Sequence, residues 1–280
     1  DTLVGGEKSS IIIGTQSQPV QKGVTVDIII ANNGNIDVSK DVELLSRGVI
    51  LHGSTHIHGH KKTTFGKVAT DPRKGNTSIT MASTPIDWEV GDTIVIAGTR
   101  KNYAQNIGGK QVFQPFEDEV RTITAIAGNV ISFSSPLIHD HTSPRSDLKT
   151  YVGNYTRNVT IESEDGASTP IHHRGHFMQM HSDDVDIRYA AFNHLGRTDK
   201  STSDKAQKTG PRTVSELSPL SPGSNIKGRY SLHFHRTGFK QLDKPALAIG
   251  NAVTGAPGWG YVHHDAHAIF HNNVSYDTIG

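Results

Sequence analysis

Two segments in the last fifth of the chain concentrate side chains that can bind metal or move protons. Leu232-His233-Phe234-His235 carries histidines at alternate positions, and Tyr261-Val262-His263-His264-Asp265-Ala266-His267 follows. Alternate residues of a β-strand share a face. With Leu232 and Phe234 turned inward, His233 and His235 point outward together. If successive segments stack as coils aligned on their strand-end glycines, Val262 falls under Leu232 and His264 under Phe234. That register sets His263 beside His233 and Asp265 beside His235. The earlier segment GHFMQMHSDD (175–184) fits it with Met178 and Met180 inward, and Gln179 and His181 outward. Two exterior ladders are expected: Gln179–His233–His263 and His181–His235–Asp265. Neighbouring strands lie about 4.8 Å apart. At that spacing His181, His233, His235 and Asp265 could share a divalent metal, calcium or zinc, or His235 and Asp265 could work as an acid–base pair. The plain alternative is a ladder of exterior histidines that stack and hydrogen-bond.

Arg229 and Tyr230 directly precede this cluster. A guanidinium matches a carboxylate bidentately, and a tyrosine ring can stack on a sugar. Arg229 is therefore a candidate for catalysis and for substrate binding, with Tyr230, His263 and His176 as further substrate-binding candidates; Arg229 could equally pin the turn of its own coil. His56, His58 and His60 also alternate on one strand face, with His52 before them, but Gly53 and Gly59 interrupt that strand and no carboxylate is close in sequence. His139-Asp140-His141 reads as a loop. Asn272 and Asn273 read as an internal ladder, and Trp88 as a packing residue; Trp259, next to a turn glycine, could face a sugar.

The elements that must position these groups are strands. No stretch of about 12 residues keeps apolar side chains at helical spacing. Short β-branched runs recur instead, among them Ser10–Ile13, Val24–Ile30, Gly48–Leu51, Thr93–Ala97 and Asn158–Ile161, punctuated by Gly, Asn, Asp or Pro. Arg121–Ala125 and Val130–Phe133 flank a turn and predict a hairpin. In the second half, 184–196, 245–255 and 267–280 read as strand sets with Asn and Gly at their turns. Such sets suit stacked coils of a parallel β-helix, and continuation past Gly280 is expected. Residues 198–227 are polar and rich in Ser, Thr and Pro, and predict a long loop inserted between coils.

Composition excludes several functions. Lys plus Arg is 28 against 27 Asp plus Glu, so there is no basic excess to displace phosphate counterions and no case for nucleic acid. The absence of cysteine removes disulfides, thiolate metal sites and thiol nucleophiles. No apolar run approaches the roughly 18 residues of a membrane span. No Gly-rich phosphate loop opens a helix, and GxSxG is missing.

Several segments together resemble one known arrangement. IIIGTQSQPV (11–20), GVILHGSTHIHGHKKTTF (48–65), WEVGDTIVIAGT (88–99) and EDEVRTITAIAGNVISFSSPLIHDH (117–141) are similar to the extracellular G8 domain, named for eight glycines. TRNVTIES (156–163), GRYSLHFHRTG (228–238) and GWGYVHHDAHAIFHNNVSYDTIG (258–280) resemble the β-helix that follows it. The combination resembles the cell-surface and secreted hyaluronidases, the fibrocystins and their bacterial relatives. The first part of the G8 domain is expected to lie before Asp1.

The expected architecture is all-β: a G8-like β domain over 1–150, followed by a right-handed parallel β-helix over 151–280. The resemblance implies an extracellular or cell-surface protein that acts on an acidic, hyaluronan-like polysaccharide and cleaves its glycosidic bonds. Two alternatives stay open: a non-catalytic polysaccharide-binding or adhesion module, and a metal-assisted lyase in which Arg229 or His235 removes the proton at C5 of a uronate.

Overall fold

The computed structural model describes residues 2–37, 39–41, 44–100, 104–107, 110–113, 116–199, 206–207, 225–241 and 243–279. The fold is all-β, and no α-helix occurs among the described residues. The chain divides into two compact units, Asp1–Lys61 with Arg157–Gly280, and Lys62–Thr156.

The first unit is a parallel β-helix of five coils, each contributing one strand to each of three parallel sheets. The first coil comprises Leu3–Gly5, Ser10–Ile13 and Val26–Ile30; the second comprises Gly48–Leu51, Ser54–His58 and Val159–Ser163. The third comprises His176–Met180, Val185–Arg188 and Ala191–Asn193; the fourth comprises Leu232–His235, Ala246–Ile249 and Ala252–Thr254. Tyr261–His264, Ala268–His271 and Val274–Tyr276 complete the fifth. The expected boundary at 150/151 therefore does not coincide with the compact units. The β-branched runs of the first 58 residues pair in parallel with later coils, as Ile28 does with Ile161. The insertion at 62–156 separates the second and third strands of one coil.

Side chains of like type stack inside the coils. Ile57, Ile187, Ala248 and Phe270 form one inward column, and Ile161, Phe192 and Val253 another. In the third, fourth and fifth coils each corner is turned by one residue with positive φ, stacked from coil to coil. The three corners are His181, Arg236 and Asp265; Tyr189, Gly250 and Asn272; and His194, Gly255 and Asp277. Glycine is demanded at two of these positions by more than backbone freedom. A Cβ on Gly250 would lie 2.4 Å from the ring of Tyr189, and one on Gly255 would lie 2.3 Å from the ring of His194. The asparagine ladder is present at Asn251 and Asn273. The Asn251 side chain accepts from the Ala190 amide and donates to the Ile187 carbonyl, both at 3.0 Å. Asn273 donates to the Ala248 carbonyl and accepts from the Asn251 amide, both at 2.8 Å. Asn272 is the corner residue beside it.

The second unit holds a six-stranded antiparallel sheet in the order Phe65–Lys67, Tyr151–Asn154, Thr93–Ile96, Glu119–Ala127, Val130–Phe133, Ser78–Thr80. The predicted hairpin is there, with Ile123 opposite Phe133. Trp88 is buried among Ile79, Ile94 and Val152, and its indole N–H donates to the Thr63 carbonyl at 2.6 Å. Of the expected loop 198–227, residues 200–205 and 208–224 lie outside the described residues. Thr198 and Asp199, at its start, are buried. Among the described residues no helix is long and apolar enough to cross a membrane.

Candidate active site: a histidine-lined groove

The sheet containing Leu232–His235 presents its outward residues to a groove of about 1200 Å³. Hydrogen-bonded register pairs Met178 with His233 and Met180 with His235. It then pairs His233 with Val262 and His235 with His264. The outward rows are thus Met178–His233–Val262 and Met180–His235–His264. Leu232 and Phe234 point inward as expected and are fully buried.

This register is one residue away from the glycine alignment, and the slip exchanges faces. Gln179 is inside, in a column with Leu51 and Phe234. Its carboxamide accepts from the Thr55 hydroxyl at 2.6 Å and donates to the Leu51 and Gly53 carbonyls at 3.1 Å. Met178 and Met180, expected inside, line the groove. His263 sits opposite Phe234 on the inward row of the last described coil, not beside His233, and also lines the groove. Asp265 occupies the corner after the strand, with its carboxylate 4.0 Å from His264 Nε2. His181 is likewise a corner residue. Its Nδ1 lies 3.3 Å from His52 Nδ1 and its ring 6.3 Å from that of His235.

A chain of ring contacts runs through the groove. Trp259 stacks on Tyr230 at 5.7 Å, Tyr230 meets His233 edge-on at 5.3 Å, and His233 meets His235 at 5.5 Å. His235 and His264 follow at 5.1 Å, their Nδ1 atoms 3.1 Å apart. One ligand atom from each of His233, His235 and His264 falls within 4.8 Å of the others. Burial lowers the His233 imidazole to about 4, with the Gly228 carbonyl opposing and the neighbouring His235 adding to the drop. Burial also lowers His235, and the imidazole of His264 lowers it further. Both rings are therefore neutral at pH 7. Burial raises the Tyr230 phenol.

One wall of the groove comes from Lys40, Asp41, Leu45 and Ser46 and is fastened from beneath. Asp41 accepts from the Leu45 and Ser46 amides at 2.9 and 2.8 Å and from the Ser46 hydroxyl. Burial opposes ionisation of Asp41, but these hydrogen bonds outweigh it and hold the carboxyl below its ordinary value. Arg229 Nε donates to the Leu44 carbonyl at 2.8 Å. Arg197, fully buried, donates to the Leu44 and Ser46 carbonyls at 2.8 Å. Its burial, together with Arg229 and Arg47, lowers the guanidinium to about 9. Arg229 thus holds the wall, so its charge is partly committed to backbone. Cations from Lys40 and Lys227 also line the groove.

His176 does not reach the groove. It is completely buried over Gly48, and Nδ1 faces the Arg47 carbonyl at 3.2 Å. The His56–His60 stretch splits. His56 meets Asp184 at 3.1 Å and His58 stands 3.4 Å from Asp186, carboxylates brought by the next coil. His141 is buried in the second unit against Glu119 at 3.0 Å. His264, Met178, Met180 and His52 join the groove without having been expected there. The stacked corners at His181, Arg236 and Asp265 would have located them, but His, Arg and Asp signal positive φ far more weakly than glycine does.

No protein-family model matches the chain. It is similar to G8 domain-containing proteins of Dictyostelium discoideum. One is 27% identical over 257 residues, covering 91% of this chain and 14% of the relative. A second is 26% identical over 260 residues, covering 91% of this chain and 18% of the relative. A third is 26% identical over 169 residues, covering 56% and 11%. The chain therefore spans less than a fifth of these relatives, whose similarity supports the G8 resemblance. Among solved structures, the tailspike gp61 of Pseudomonas phage phi297 gives a TM-score of 0.27 at 9% identity, covering 98% of this chain and 40% of that one. The tailspike gp49 from Pseudomonas phage LKA1 gives 0.29 at 12%, covering 96% and 37%. The Gp54 tailspike of Acinetobacter baumannii bacteriophage AP22, solved with a capsular saccharide, gives 0.28 at 10%, covering 98% and 41%.

Proposed function

We propose that the groove takes an acidic, hyaluronan-like polysaccharide and cleaves its glycosidic bonds, and that the protein works outside the cell or at its surface. The observation that carries this is the Trp259–Tyr230 stack joined through His233 to His235 in one groove. Trp259 is 45% exposed, so a sugar ring can lie against its indole. Lys40 and Lys227 supply positive charge for uronate carboxylates.

Within cleavage, elimination fits better than hydrolysis. Two-carboxylate hydrolysis needs a free pair flanking the bond. Asp41 is the one carboxylate among the described lining residues, and its oxygens already accept from Leu45 and Ser46. The available base is an imidazole. His52 lines the groove outside the His233, His235 and His264 cluster, so its imidazole can accept the C5 proton of a uronate. The C5–H electron pair then forms the C4=C5 double bond, the C4–O bond breaks, and the leaving oxygen takes up a proton. A divalent cation, calcium or zinc, would neutralise the uronate carboxylate and make C5 more acidic.

The test is incubation of the chain, with divalent metal supplied, against a panel of acidic glycans. Shortened chains with unsaturated, ultraviolet-absorbing ends are expected, and His52→Ala should abolish them. Shortening without unsaturation would replace elimination by hydrolysis. Retention of intact polymer would make the chain a binding module. Neither retention nor shortening of any glycan would overturn the proposal.

A further inference from the structure

We infer that His233, His235 and His264 form a zinc-type metal site with one coordination position open to the groove. This deepens the proposal above by naming the metal class and its ligands, and depends on it only for the substrate.

The register creates the ligand set. His233 and His235 alternate on one outward strand face, and His264 is the hydrogen-bonded partner of His235 in the next coil. His235 and His264 point Nδ1 at Nδ1 across 3.1 Å. Two lone pairs cannot face each other at that distance, so one ring must spend a proton between them or both must bind a shared cation. Tetrahedral coordination at about 2.0–2.1 Å sets its nitrogens about 3.4 Å apart, a spacing this pair already meets.

His233 is prepared independently. Its Nδ1 faces the Gly228 carbonyl at 3.2 Å, which makes Nδ1 the protonated nitrogen. The lone pair is then on Nε2, and that atom is buried without a hydrogen-bond partner. The residue is 4% exposed, so no bulk water compensates this nitrogen. A backbone carbonyl on the far nitrogen is the usual way a ligating histidine is oriented. Ring rotation closes the rest of the 4.8 Å spread.

Three imidazoles select the metal. Calcium takes six to eight oxygen ligands, whereas imidazole suits zinc, cobalt and copper. Three protein ligands leave the fourth position for water or substrate, as in catalytic zinc centres. Asp265, expected as a ligand, stands instead at the corner with its carboxylate 4.0 Å from the outer nitrogen of His264, beyond hydrogen-bond reach. His181, expected as a ligand, faces His52 through Nδ1 instead.

Cobalt(II) titration of the tag-free, metal-stripped chain provides the test, read by visible d–d absorption and calorimetry. One cobalt per chain with a tetrahedral spectrum is expected, displaced by zinc and not by calcium. His235→Ala and His264→Ala should each weaken binding at least about 100-fold. His56→Ala, on a different sheet, should change nothing. His264 is exposed, so its variant stays informative if His233→Ala fails to fold. Absence of cobalt binding, or binding that survives both His235→Ala and His264→Ala, would overturn the site. Cobalt bound at these residues by a chain that leaves every glycan intact would keep the site and remove the cleavage proposal; glycan cleavage unaffected by chelation, in a chain that binds no cobalt, would do the reverse.

Discussion

Trp259 lies over Tyr230 with ring centroids 5.7 Å apart and planes 27° from parallel. The buried tyrosine fixes the orientation of an exposed indole at the groove edge. Trp259→Ala should weaken retention of acidic glycans about tenfold, in the range of about 0.5–1.5 kcal/mol for an aromatic stack. Its melting temperature should fall only slightly, since an exposed residue leaves no core cavity. Glycan affinity electrophoresis alongside thermal melting separates the two effects, and unchanged retention would show that the sugar lies elsewhere.

Gly48 and His176 compete for the same space. A Cβ on Gly48 would sit 2.3 Å from the imidazole, which is fully buried and cannot swing into solvent. Gly48→Ala should cost about 2 kcal/mol through overpacking. His176→Ala opens a cavity of its own, so the double variant should be less destabilised than the sum of the two singles by about 1 kcal/mol or more. Urea midpoints of the four proteins measure this coupling, and strict additivity would refute it.

Gln179 is a polar group in the coil interior with its partners built around it. Gln179→Leu keeps the volume but strands the Thr55 hydroxyl and removes donors to the Leu51 and Gly53 carbonyls. The expected loss is about 1–3 kcal/mol. Adding Thr55→Val should recover part of it, because the orphaned hydroxyl is then gone. Denaturant unfolding reads both changes.

Arg229→Lys should act on stability before chemistry. Lysine cannot reproduce the Nε–H bond to the Leu44 carbonyl while also reaching Lys227, as the guanidinium does. The wall at Leu44, Leu45 and Ser46 should then become more protease-sensitive, with a lower melting temperature. A variant that folds as tightly as wild type yet loses all glycan turnover would return Arg229 to the catalytic role.

Glu119 makes the second unit acid-sensitive. Burial opposes its ionisation, but the Ile138 and His139 amides, His141 and Arg121 together hold the carboxyl below its ordinary 4.5. A depressed folded value contributes stability that is complete above the unfolded value and is lost as pH falls through the folded one. Stability should therefore decline from about pH 4.5 downward, and Glu119→Gln should flatten that slope while lowering the plateau above it. Urea midpoints between about pH 6 and pH 3 provide the measurement.

Local patterns were legible without a structure because they need only near neighbours. The β-branched runs, the hairpin at Val130–Phe133, the inward Leu232 and Phe234 and the internal Asn273 follow from alternation and turn chemistry. So did the concentration of histidines on one outward strand face. The early strands misled, since nothing in Ile28 itself announces that its partner is Ile161, with a whole unit intervening.

The sequence by itself determined that this chain is strands and turns, that its coils stack like on like, and that His233 and His235 share a face. Tertiary structure alone decided which residues join them. Side chains alternate with period two, so one residue of register exchanges every inward for every outward group. The chain settles that register through backbone hydrogen bonds between coils and through corners at His181, Arg236 and Asp265, residue types that mark positive φ far more weakly than glycine. The slip sends Gln179 into the core, brings Met178 and Met180 to the groove, and sets His264 rather than Asp265 opposite His235.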